Sequence, residues 1–210
     1  MPRYKPNRPA AAFLLAAVAS CTSGEAQVGQ PRPPISAADW RPQAGDVILR
    51  ASNNLVGSRI RTASGERAIY SHVGMVVTRG GTPQVVDISP YGSGRVEFTD
   101  LARFTTDGEI ADLLVLRPRR GVDAARLDVE AERLAAAGIA FDYRFDTADA
   151  SELYCAELTY HLLGAAGVDV SGVKWTQMYV PLHGDRNLIA PDSFAHAAAL
   201  QPIFRRRVPG

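Results

Sequence analysis

The stretch SHVGMVVTRGGTPQVVDIS, residues 71–89, constrains the fold more than any other part of the chain. Val73, Val76 and Val77 on one side, and Val85, Val86 and Ile88 on the other, are β-branched residues suited to extended backbone. Gly80, Gly81 and Pro83 lie between them and mark a turn. The runs 71–79 and 84–89 therefore read as two strands of a hairpin closed over residues 78–83. GDVILRAS supplies a short buried strand before it, and NNLVGSRIRTAS reads as a short helix or turn. GRVEFT and IADLLVLRP supply strands after it, with a short helix around DLARF, and Pro118 ends the run. Such a sheet is largely antiparallel. The periodicity then changes. Asp123 to Ala137 forms an amphipathic helix stopped by Gly138, and a second helix runs from about Ser151, its N-cap, to Ala166, stopped by Gly167. Strands come first and helices mostly afterwards, which makes the class α+β.

Little before residue 43 suits a core. Arg3, Lys5 and Arg8 precede an apolar run from Ala10 to Ala19 and then VASC at 18–21, the pattern of an export signal. The run is too short to span a bilayer. Cysteine directly after Val-Ala-Ser also resembles the bacterial lipobox, so residues 1–20 read as a signal peptide and Cys21 as the lipidated N-terminus of the mature chain. Thr22 follows it rather than aspartate, which points to an outer-membrane lipoprotein facing the periplasm. Residues 21–42 hold Pro31, Pro33, Pro34 and Pro42 with few large apolar side chains, the composition of a tether. Residues 43–210 form one domain, since the 190 residues left after the signal suffice for one substantial core but are short for two. Cleavage leaves 20 basic against 22 acidic residues, a charge of about −2, without a basic patch interleaved with aromatics. A nucleic-acid partner is excluded on that ground. Arg205, Arg206 and Arg207 read as a solvated tail.

The chain has two cysteines, and with Cys21 in the signal region Cys155 has no disulfide partner. Its position soon after Ser151 puts its sulfur near the positive end of a helix, where a thiolate is stabilised and the thiol pKa falls below about 8.5. A lone cysteine in that position is either a small buried hydrophobe or a nucleophile, and a neighbouring base decides. His72 is the candidate base, with Ser71 and Gly74 leaving room beside its ring. If Thr78 lies opposite Pro83, His72 faces Ser89. Asp87 is then diagonal to His72 on the same face, near enough to orient a ring nitrogen. A register slip of one residue would separate them.

GDVI, then YSHVGMVV, VVDIS, LRPRR, FDYRF, YCAELTYHLL and APDSFAHAAAL, in that order from about Gly45 to the end, resemble the circularly permuted papain-like cysteine hydrolases. The branch is the YiiX/YebB-like one of the NlpC superfamily, in which the histidine precedes the cysteine; here His72 precedes Cys155 by 83 positions. The resemblance implies a permuted papain-like fold, Cys155 as nucleophile, His72 as base and Asp87 as the orienting residue, with aspartate where the family often has glutamate. It also implies that Asp142 and Phe145 shape a loop over the cleft. Glu157 matches the CSEL-type stretch, with Ala156 in place of serine, and reads as structural.

In such a site Cys155 attacks a carbonyl carbon, forms an acyl-enzyme, and His72 protonates the leaving group. The Cys155 backbone N–H is the natural oxyanion donor. Tyr154 either contributes its hydroxyl or packs the pocket. His161, His183 and His196 are scattered, so no metal ligand set and no cofactor is expected. Trp175, Met178 and Tyr179 either line a groove or fold back on the core. Three functions follow: a cell-envelope amidase or peptidase acting on peptide or peptidoglycan-derived substrates, a lipid acyl hydrolase or acyltransferase using the same thiol, and a binding module with a vestigial site.

Overall fold

In a computed structural model, residues 39–52, 61, 68–106, 110–180 and 182–207 are described. Residues 1–38, read above as an export signal, Cys21 and most of a linker, lie outside them, as does the segment 53–64 apart from Arg61. Strands β1 (Val47–Ser52), β2 (His72–Arg79), β3 (Thr82–Asp87), β4 (Glu97–Asp100), β5 (Ile110–Pro118) and β10 (Leu200–Arg207) form one sheet in the order β10-β5-β1-β2-β3-β4. Every pairing in it is antiparallel. The β2–β3 register sets Thr78 opposite Pro83 and Met75 opposite Val86, the pairing read from the sequence. β3 ends at Asp87, so Ser89 is not paired.

Alternation along the strands splits the core between the two faces of the sheet. Val47, Leu49, Val73, Met75, Val86 and Leu116 share one cluster with Leu127 of α2 (Ala124–Ala136) and Leu158 and Leu162 of α3 (Cys155–Ala165). Ile48, Val76, Val85, Leu113 and Val115 share the other with Trp40 and with Phe104 of α1 (Leu101–Thr106). The architecture is α+β with a mainly antiparallel sheet.

Asp46 fixes where the first strand begins. It is fully buried, and it accepts hydrogen bonds from Trp40 Nε1 (2.9 Å), the Gln43 amide (2.9 Å) and Arg117 Nε and Nη2 (2.7 and 2.8 Å). A buried carboxylate needs such a full set of donors.

Two readings need correction. The second long helix begins at Cys155, not at Ser151, because residues 152–153 instead pair as β7 (Glu152–Leu153) with β6 (Ala140–Phe141). Beyond it, β8 (Trp175–Val180) and β9 (Gly184–Ile189) pair as a hairpin. The segment after it makes only the short α4 (Asp192–Ala195) before β10 returns to the sheet edge. Arg205 and Arg207 are therefore not a solvated tail. Both bind Asp112, Arg205 at 2.6 Å and Arg207 at 3.0 Å, while Arg206 donates to the Thr105 carbonyl. Pro202 sits where that edge strand shifts register, a position that tolerates a missing N–H.

Candidate active site

His72 is the first residue of β2, and what precedes it is held at both ends. The amides of Ile69 and Tyr70 donate to the Asp192 carboxylate of α4 (2.8 and 3.1 Å), and the Ser71 amide donates to the Arg50 carbonyl of β1 (2.8 Å). On the same sheet face lies Gly74, where a Cβ would stand 2.6 Å from Val85 Cγ1, 2.9 Å from Phe104 Cζ and 3.2 Å from Asp87 Cβ. Only glycine leaves Asp87 and the Phe104 ring their present places. That ring stacks at 5.7 Å from the His72 imidazole, with the Arg50 guanidinium 4.6 Å from its centre.

Asp87, 5% exposed, ends β3 and meets His72 across the hairpin, its Oδ2 3.0 Å from Nε2. Its other oxygen, Oδ1, accepts from Thr99 Oγ1 at 3.1 Å. Cys155 lies near enough to the His72 ring to help raise its pKa. Burial works against charging this ring, but the hydrogen bonds to Asp87 and Cys155 and their negative charge outweigh it, and the pKa is pushed up to about 9. An imidazolium is thus favoured at neutral pH.

Cys155 is a half-buried free thiol and the first residue of α3. The extended Tyr154 is the N-cap and offers no side-chain cap; Glu157, three residues on, instead accepts from the Tyr154 amide, one arm of a capping box. The first intrahelical bond runs from the Leu158 amide to the Tyr154 carbonyl (2.9 Å). The amides of residues 155–157 precede it and point out of the helix end, where they can meet an anion. Starting the helix at Cys155 places the sulfur nearer that end than a start at Ser151 would.

Around this core, Tyr154 is buried and its hydroxyl accepts from the Ile189 amide of β9 (2.9 Å), which ties the β8–β9 hairpin to the head of α3. Its contact is that of the packing alternative. Glu157 keeps Oε2 buried without a partner, and burial, reinforced by Asp142 and Asp146, outweighs its bond from Tyr154 and pushes its pKa up to about 7. Asp142 is fully buried and accepts from the amides of Arg144 (2.8 Å) and Asp146 (2.5 Å), so it caps the loop before Cys155. Phe145, with φ of 52°, turns its ring onto Tyr154 (5.2 Å) and Phe141 (6.2 Å). His161 stands apart, bound to Glu130 on the exposed side of α2 and α3. His183 lies in the β8–β9 turn and His196 after α4. Trp175 packs edge-on against Tyr160, whereas Tyr179 and Leu182 are exposed. Sequence reading missed Thr99, Phe104 and Asp192; the Asp-Ser pair after Pro191 is the one local signal for the last of these.

No protein-family model matches the chain. In sequence it is 30% identical over 129 residues to the uncharacterized protein YiiX of Escherichia coli (strain K12), an alignment that spans 60% of this chain and 59% of that relative. In structure it superposes on the crystal structure of the metalloprotein YiiX from Escherichia coli O157:H7 with a TM-score of 0.66 and 20% identity, covering 80% of this chain and 100% of that one. The second likeness concerns the fold, and with the first it makes this chain similar to YiiX in sequence and in three-dimensional form.

Proposed function

We propose that this chain is a thiol hydrolase of the bacterial cell envelope, of amidase or peptidase type and permuted papain-like build, with Cys155 as nucleophile, His72 as base and Asp87 as orienting residue. The supporting observation is their grouping: Asp87 Oδ2 at 3.0 Å from His72 Nε2, and the thiol at the first residue of a helix, near enough to the same ring to raise its pKa. In this reading the imidazolium holds the thiolate ready and then gives its proton to the leaving amine once Cys155 has formed the acyl-enzyme. The Cys155 amide, at the helix start, faces the developing oxyanion. A triad is defined by geometry and roles, so the order His, Asp, Cys along the chain is no obstacle.

A second reading keeps the same thiol but takes acyl lipids as donors. It is favoured by the exposed Tyr179 and Leu182 on a hairpin tied through Tyr154 to the helix that carries Cys155. An acyl-reactive probe that labels wild type but not Cys155→Ala tests the hydrolase reading, and competition by peptides or by phospholipids separates the two substrates. No labelling at all would leave a binding module.

The YiiX of the crystal structure is called a metalloprotein. Among the described residues no group of three or more His, Cys, Asp and Glu side chains could hold a metal ion.

Export and anchoring through Cys21 complete the proposal. Among the described residues no helix is long and apolar enough to cross a membrane. Cys21→Ser should release the protein from the membrane fraction, and an unmodified Cys21 by intact mass would refute the anchor.

A further inference from the structure

We infer that Thr99 is a positioning residue for this site, a fourth member that holds the Asp87 carboxylate in the orientation His72 requires; the inference rests on the thiol-hydrolase reading above. Thr99 lies on β4 opposite Val85, while Asp87 lies opposite Glu97. The two are therefore diagonal neighbours on one sheet face, within reach of each other. Thr99 Oγ1 donates to Asp87 Oδ1 at 3.1 Å while Oδ2 serves His72 at 3.0 Å, so the two carboxylate oxygens have separate partners. This matters because the terminal torsion of an aspartate is broad and two-fold. One bond to a ring that itself pivots does not fix the plane of the carboxylate, whereas a second bond from a different strand does. Gly74 and Phe104 close the space beside Asp87 from another direction. The short side chain thus reaches His72 from a fixed base.

Thr99→Val replaces the hydroxyl by a methyl group and leaves Oδ1 buried without its donor. Two readouts that need no substrate test the inference: the iodoacetamide alkylation rate of Cys155 at neutral pH, and the NMR resonance of the His72 Nε2 proton in the bond to Asp87. In Thr99→Val the rate should fall about tenfold, the size expected for losing a hydrogen bond to a charged group, and the proton signal should broaden or vanish through exchange. Thr99→Ser, which keeps the donor, should restore both to within about twofold of wild type. Thr99→Ala removes the same donor and gives the same readouts should the valine variant fail to fold. A reactive wild-type thiol whose rate and His72 resonance are unchanged in the valine or alanine variant overturns the role of Thr99 alone. A fall in melting temperature with both readouts intact also overturns it, since that is a structural role. A wild-type Cys155 inert to iodoacetamide overturns the thiol-hydrolase reading itself.

Discussion

The raised pKa of His72 makes stability depend on pH in a direction that can be worked out in advance. Unfolded, the imidazole titrates near 6.5; folded, with burial opposing and Asp87 and Cys155 prevailing, it titrates near about 9. A base with a higher pKa in the folded state contributes stability that is fully present below pH 6.5 and lost as pH rises through about 9. At about 1.4 kcal/mol per pKa unit the difference amounts to about 3 kcal/mol, and the ring is only 15% exposed, so solvent screening removes little of it. That is a large part of a typical folding free energy of about 5–15 kcal/mol.

The measurement is urea unfolding at half-unit steps from pH 6 to 10, for wild type and for His72→Asn. Wild type should lose stability across the window relative to the variant, most steeply between pH 6.5 and 9. In Cys155→Ala and in Asp87→Asn the loss should shrink but persist, because each variant leaves the other group to raise the pKa. Wild-type and His72→Asn curves that run parallel throughout would refute the ion-pair assignment.

Gly74→Ala should cost about 1–3 kcal/mol by overpacking against Val85 and Phe104, and should slow Cys155 alkylation by displacing Asp87; a silent substitution would mean the strand gives way without moving the site. Tyr154→Phe leaves the buried Ile189 amide without its acceptor, costing about 1–3 kcal/mol in chemical denaturation. Its effect on acyl turnover should stay far below the roughly 100–1000-fold loss of an oxyanion donor, and a loss of that size would restore Tyr154 to the oxyanion site. Glu157 is an acid with a raised folded pKa, so its ionisation costs stability as pH rises from about 4.5 to about 7. Glu157→Gln, which can still accept from the Tyr154 amide, should unfold at higher urea than wild type at pH 8 and at the same urea below pH 4.5.

The central hairpin and its register were legible because the signal is local. β-branched runs, a turn with two glycines, and the two-residue side-chain period together left His72 and Asp87 on one face. The C-terminal third was not legible in the same way. GDRNLI and LQPIFRRR carry charged residues at a sheet edge, where one side faces water and the charge is met by partners distant in sequence. Arg205 and Arg207 resembled a solvated tail because Asp112, which holds both, lies more than 90 positions earlier. Asp46 was hidden for the same reason, since its partner Arg117 is 71 positions away.

The misplaced helix start shows how two local signals can compete. Ser151 is a better N-cap by composition than Tyr154, yet residues 149–151 spend their polar groups on a turn in which the Ser151 amide and hydroxyl both donate to Asp149. Glu152 and Leu153 are then drawn into a parallel pairing with Ala140 and Phe141. With those residues committed, the helix can begin only where the chain leaves the ladder, and Glu157 is placed to cap it by reaching back to Tyr154. The glutamate in YCAEL thus does for the nucleophile what Ser151 was expected to do. It fixes the first turn so that the thiol stands at the helix end, and it does so through a carboxyl whose charge at neutral pH is held down by burial, reinforced by Asp142 and Asp146.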